Sequence, residues 1–175
     1  LLIIDGKNCF IRKKESMNQY FEIVKRLTEQ GKTVATMESC TGGAICNQIT
    51  NVEGASEVLK FSAVTYSNEY KIKMGVREEI IAKFTVYSME TAKEMARCIS
   101  KFADSDYGIG ITGKMNRADR MNLCGEDNMI FVVIYDRVQN VETCFTVEAT
   151  LASREENKQL VVREIGEKLL SLLIN

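Results

Sequence analysis

Histidine is absent from all 175 residues, and so are proline and tryptophan. The first absence excludes most: a Ser-His-Asp triad, a Cys-His pair, a histidine general base and histidine-liganded zinc are all impossible within this chain. A base working at neutral pH must then be a carboxylate, a lysine or tyrosine shifted in pKa, a thiolate or water. Without proline, turns have to rest on glycine and asparagine. An excess of one charge sign is also missing. Lys and Arg number 23 against 24 Asp and Glu, which argues against a nucleic-acid platform and its clustered phosphate contacts. Long apolar runs are missing too. The longest, 129–135, has the length of a strand and falls far short of the roughly 20 residues that cross a bilayer. The apolar opening at 1–4 is cut off by Asp5 and is too short for the core of a secretory leader. The expectation is a cytoplasmic chain with no nucleic-acid and no membrane partner.

What is present suits one ordinary globular domain: 45% hydrophobic and 27% charged residues. At this length a domain buries roughly 70% of the surface of its unfolded chain, enough for a core without staples. Residues 1–16 read as an N-terminal extension and 17–175 as a single domain. The cysteines Cys9, Cys40, Cys46, Cys98, Cys124 and Cys144 form no CxxC and fit neither a zinc knuckle nor a short disulfide framework. Reduced, mostly buried thiols are expected, with no metal and no cofactor.

Periodicity supplies the map. Met17, Tyr20, Phe21, Val24 and Leu27 recur at three- and four-residue steps and predict a helix over 15–30, ended by Gly31. The β-branched run 33–37 predicts a buried strand that leads into Glu38-Ser39-Cys40-Thr41-Gly42-Gly43, followed by a helix over 43–50. A strand is expected over 59–66, then a short helix capped by Asn68 and a second over 77–83. Ser88 caps a longer helix striped by Met89, Ala92, Met95, Ile99 and Phe102. Strands follow at 107–112, 128–136 and 142–150, the last two as an antiparallel hairpin. Ser153-Arg154-Glu155-Glu156 has the form of a capping box, and Val161, Ile165, Leu169 and Leu172 mark the core face of the final helix. Interleaved helices and strands predict an α/β fold, a three-layer α/β/α arrangement on a mixed, largely parallel sheet.

Two clusters can carry chemistry. A strand ending at Ser39 and feeding Gly42-Gly43 puts a hydroxyl at the carboxyl edge of the sheet, where ligands of open α/β folds bind. The N–H groups around Thr41, Gly42 and Gly43 suit an oxyanion or a phosphate, and the sequence does not decide between them; a plain strand-to-helix turn would look the same. The second cluster is Tyr66-Ser67-Asn68-Glu69-Tyr70-Lys71. On a helical turn, Ser67, Asn68 and Lys71 share one side. In a chain without histidine, a desolvated Lys71 is the natural group to take a proton from a serine, although a lysine at such a place is as a rule a solvated surface residue.

Glu38 to Gly43, Tyr66-Ser67-Asn68 with Lys71, Gly75-Val76 and Val86-x-Ser88 together resemble the C-terminal domain family of the competence and damage-inducible protein CinA, which includes stand-alone nicotinamide mononucleotide deamidases. The similarity runs over about 19–173. The resemblance implies hydrolysis of the carboxamide of nicotinamide mononucleotide to the acid and ammonia, without metal. It implies Ser39 as nucleophile, Lys71 as its base and Tyr66 assisting. Substrate contacts fall on Thr41, Gly42, Gly43, Asn68, Thr112, Gly113 and Arg154. Arg154, before the last helix, suits a phosphate because its fork can hold two oxygens. A small pyridine nucleotide is the implied partner, and a homodimer is a further expectation.

The chain departs from the family at one place. After Thr112-Gly113 the family continues with a glycine- and proline-rich loop, whereas this chain carries a polar stretch over 114–127 with one glycine. Such a stretch cannot take the same positive-φ conformations cheaply. Lys114, Arg117 and Arg120 are candidates to supply charged contacts in place of backbone ones, or they belong to a solvated loop. The alternative function is thus a catalytically silent, nucleotide-binding or regulatory relative.

Overall fold

A computed structural model of the chain describes residues 19–115 and 127–174. The expected extension 1–16, the start of the first helix, Cys9, Cys124, Arg117 and Arg120 lie outside the described residues. Helix α1 spans 19–29. There follow β1 (Val34–Glu38), α2 (Ala44–Thr50), a 3-10 turn (Ala55–Glu57), β2 (Leu59–Val64), α3 (Asn68–Lys73), α4 (Glu78–Phe84) and α5 (Met89–Ala103). The remainder is β3 (Tyr107–Gly113), β4 (Met129–Asp136), β5 (Val141–Glu148) and α6 (Arg154–Ile174).

The strands form one sheet in the order β2-β1-β3-β4-β5. Pairings β1–β2 and β1–β3 are parallel, and β3–β4 and β4–β5 antiparallel. β1 and β3 are buried along their whole length. Their period of two sorts the side chains into two half-cores. Val34, Tyr107, Ile109, Ile111, Ile130, Val132 and Ile134 join the apolar faces of α1, α2 and α6. Ala35 and Met37 face α4 and α5 with Met95 and Ile99, and Val133 meets Ala92 and Ala96 of α5. This is the three-layer α/β/α arrangement, with helices on both faces of a mixed sheet.

α5 lies unusually close to β3. A Cβ added at Gly108 would come within 2.1 Å of the Ala96 carbonyl oxygen, and one at Gly110 within 2.2 Å of that of Ala92. The Gly108-x-Gly110 pair is therefore a packing notch.

Local signals explain most boundaries. Ser88 accepts a bond from Thr91 N and starts α5. Ser153 and Glu156 make the reciprocal pair of a capping box: Glu156 N donates to Ser153 Oγ at 3.1 Å, and Ser153 N donates to Glu156 Oε2 at 3.0 Å. Two expectations need correction. The cap of α3 is Ser67, whose hydroxyl accepts from Tyr70 N, while Asn68 is the first helical residue. The thiols are not mostly buried either. Of the four described, Cys40 is buried, Cys46 and Cys98 are half-buried, and Cys144 is exposed on the edge strand β5.

Candidate active site

Because β1, β2 and β3 run parallel, their carboxyl ends share one edge of the sheet. Ser39 follows β1, Thr65 follows β2, and Thr112 stands near the end of β3. The turn after β1 is tight. Gly42 N donates to Ser39 O at 3.0 Å, and Gly42 and Gly43 hold φ values of 66° and 90°, where a side chain would be strained.

The segment entering α2 has no side-chain cap at Gly43. Glu38, fully buried, takes that part from the strand behind it. Its carboxylate accepts from Gly43 N at 3.0 Å, Ile45 N at 3.3 Å and Cys46 N at 2.9 Å. Several N–H groups of this turn are thereby used internally, and Gly43 is not free to meet a ligand through its backbone. Thr41 N makes no hydrogen bond to another described residue.

Lys71 enters from α3. Ser67 starts that helix, and Lys71 N bonds back to Ser67 O at 3.2 Å. The side chain is 1% exposed, unusual for lysine. Its Nζ lies 3.1 Å from Ser39 Oγ and donates to Thr65 O at 2.6 Å. Burial disfavours the charged ammonium and lowers its pKa from 10.5 to about 8. When the amine is neutral, its lone pair is free to accept the Ser39 proton across the same 3.1 Å contact.

Cys40 behaves in the opposite way. It packs into the core beside α2, and burial raises its thiol to about 12 against the pull of Lys71 and Arg154. Only the thiolate is a strong nucleophile, so Cys40 is a poor rival to Ser39.

The other residues singled out in the sequence are spread around this pair. Tyr66 is 68% exposed and makes no hydrogen bond to Ser39 or Lys71. Asn68 is half-buried on the first turn of α3. The Thr112 hydroxyl is fully buried and donates to Val86 O at 2.8 Å. A side chain at Gly113 would collide with β4, its Cβ 2.4 Å from Met129 O. Arg154 opens α6 and donates through Nη1 to Met115 O, tying that helix to the end of β3. Thr41 is 1% exposed, and its Oγ1 has no hydrogen-bond partner among the described residues. Lys114 does not project as a free phosphate ligand. It is 4% exposed, 3.3 Å from Asp127 Oδ1, with its ammonium 5.4 Å from the Tyr87 ring centroid.

Three participants escaped the sequence reading. The Thr65 carbonyl accepts from Lys71, Glu38 ties the turn bearing Ser39 to α2, and Lys158 of α6 places its ammonium against Gly42. For Glu38 a signal existed: an acidic residue at a strand end, ahead of a glycine N-cap that offers no side chain. Among the described residues, no group of three or more Cys, Asp or Glu side chains is placed to hold a metal ion. No described helix is long and apolar enough to cross a membrane.

Likeness to known proteins extends over most of the chain. The model of the CinA C-terminal domain family matches residues 17–171. A CinA-like protein of Endomicrobium trichonymphae is 51% identical over 88 residues, covering 50% of this chain and 21% of that protein. A CinA-like protein of Kosmotoga olearia is 47% identical over 92 residues, covering 52% and 22%. The matched segments thus span about a fifth of these curated relatives. Among solved structures, the competence or damage-inducible protein from Enterobacter asburiae superposes with a TM-score of 0.82 at 24% identity, over 90% of this chain and 98% of that one. That likeness is one of fold.

Proposed function

The chain belongs to the CinA C-terminal domain family, and from that premise we propose that it is an amidohydrolase that deamidates nicotinamide mononucleotide to the nicotinate mononucleotide and ammonia. One observation carries the reading: a buried lysine amine with its pKa lowered to about 8 stands 3.1 Å from the hydroxyl of Ser39. A serine hydroxyl is a weak nucleophile until a base removes its proton, and this pair supplies one in a chain that has no histidine.

The steps balance. Ser39 Oγ attacks the carboxamide carbon as its proton passes to Lys71 Nζ. The oxyanion that forms is met by backbone N–H groups of the turn, of which Thr41 N is uncommitted among the described residues. The C–N bond breaks as Lys71 returns the proton to the departing nitrogen, which leaves as ammonia. Lys71, neutral again, draws a proton from water as the oxygen adds to the ester; the bond to Ser39 Oγ then breaks as Lys71 returns that proton to it, and the product acid ionises into solvent. Throughout, the Thr65 carbonyl holds Nζ in line by a bond that both protonation states can donate.

The test is direct. Purified protein with nicotinamide mononucleotide is expected to release ammonia steadily, in chelator and without added metal, and the Ser39→Ala variant is expected to release none. No turnover above buffer at high enzyme concentration would overturn the reading in favour of a nucleotide-binding relative that keeps the fold without the reaction.

A further inference from the structure

The first turns of α6 bring two cations over the sheet edge that carries Ser39. Arg154 and Lys158 stand four residues apart and so share one face of the helix. Their situations differ. Arg154 is engaged with the Met115 carbonyl. Lys158 is half-buried and has neither an ion pair nor a hydrogen bond among the described residues.

The place of that ammonium is nonetheless well defined. A Cβ built on Gly42 would lie 3.3 Å from Lys158 Nζ. Glycine at this position leaves the lysine head room against the turn, while the turn itself needs the positive φ of 66°. On the same turn, Thr41 Oγ1 is buried and has no hydrogen-bond partner among the described residues. An ammonium offers only donors, and a hydroxyl adds one more. Together they suit an acceptor-rich anion, and a phosphate oxygen is the commonest such group on a small metabolite.

Position narrows the role. Ser39 and Gly42 are the ends of one hydrogen-bonded turn, so their Cα atoms lie within about 7 Å of each other. Lys158 comes to Gly42 from α6, while Lys71 reaches Ser39 from α3. The two lysines thus meet the two ends of one turn. Lys71 is buried against Ser39, whereas Lys158 is half-buried at the other end of the turn.

We propose that Lys158, with the Thr41 hydroxyl of the turn it meets, recognises the phosphomonoester of the substrate, holding a mononucleotide whose carboxamide lies at Ser39. The proposal takes the identity of the rest of the ligand from the deamidase reading; the anion site itself does not depend on it.

The experiment uses the full chain carrying Ser39→Ala, with and without Lys158→Gln, titrated calorimetrically with nicotinamide mononucleotide and with nicotinamide riboside. Lys158→Gln is expected to weaken the nucleotide by about 10- to 150-fold and to leave the riboside unchanged. Lys158→Arg is expected to recover most of the loss, which separates lost charge from damaged structure. With Ser39 intact, Lys158→Gln should raise KM for the nucleotide at nearly constant kcat. A nucleotide-to-riboside ratio unaltered by Lys158→Gln overturns the proposal. If the Ser39→Ala protein binds neither pyridine compound, the deamidase reading fails on its own, and inorganic phosphate, followed by phosphorus NMR, decides the anion site. Phosphate binding that disappears with Lys158→Gln supports the site; absent binding, or binding that survives the substitution, overturns it.

Discussion

At pH 7 a lysine with its ordinary pKa is neutral in about one molecule in 3,000, whereas Lys71, lowered to about 8, is neutral in about one in ten. This difference makes the residue usable as a base, and it comes from burial. The Cys40 thiol, raised to about 12, is ionised at pH 7 in only about one molecule in 100,000. The same dry surroundings thus favour the amine and silence the thiol. A rate limited by the neutral form of Lys71 should rise with pH through about 8 and then level off. Arginine keeps the positive charge and cannot release it. Lys71→Arg is therefore expected to lower kcat by about 10²- to 10⁴-fold, the usual contribution of a general base. A pH profile of kcat for both proteins checks this. A variant with the wild-type rate would reduce Lys71 to a fixed charge.

At the scale of elements, the site depends on two close fits. Glu38 fastens the end of β1 to the start of α2 through three backbone N–H groups, so the turn bearing Ser39 is held from both sides. The second fit is the contact of α5 with β3, where the missing side chain of Gly110 admits the Ala92 carbonyl. A methyl group there would meet backbone, which cannot swing aside as a side-chain tip can. Gly110→Ala is expected to destabilise the fold by about 3 kcal/mol, at the upper end of overpacking costs, by displacing α5 as a whole. Urea denaturation should show a lower midpoint with an unchanged slope. A loss under about 0.5 kcal/mol would mean that α5 shifts freely on the sheet.

For the whole molecule, a buried base is a thermodynamic burden. Unfolded chains hold the Lys71 proton up to about pH 10.5, and the folded state releases it near 8. Between these values the unfolded state binds more protons, so stability rises with pH across that window. Below about 8 both states are charged, and the folded one bears the full desolvation cost, at most about 3 kcal/mol at 1.36 kcal/mol per tenfold. Loss of the bonds to Ser39 and Thr65 offsets part of any gain from removing the amine. Lys71→Met is therefore expected to be more stable than the wild type by about 1 to 3 kcal/mol at pH 7. The gap should close as pH rises from 8 to 10.5. Comparing the two proteins cancels titrations common to both, such as that of buried Tyr20, whose pKa burial raises. A gap independent of pH would show that Lys71 is not charged at the cost described.

Much of this was legible in the chain itself. Period-two and period-3.6 patterns placed the strands and helices to within a few residues, because each element buries one face and the pattern records which. Ser88 and the Ser153–Glu156 pair marked helix starts through contacts between residues three apart, the range over which sequence is its own geometry. The order Ser39, Lys71, Arg154 was likewise visible as a motif. What only the tertiary structure decided is distance and dielectric. Lys71 meets Ser39 with a lowered pKa because parallel strands bring the ends of β1 and β2 together and bury the amine, a property of the assembled edge that no local pattern encodes. Ser67 rather than Asn68 caps α3 because the backbone leaves β2 extended through Ser67 and turns helical at the next residue. Lys114 reads as a loop cation until Asp127 and the Tyr87 ring are seen around it. Lys158 reads as one lysine among many until the packing of α6 sets it against Gly42, a residue from the other end of the chain.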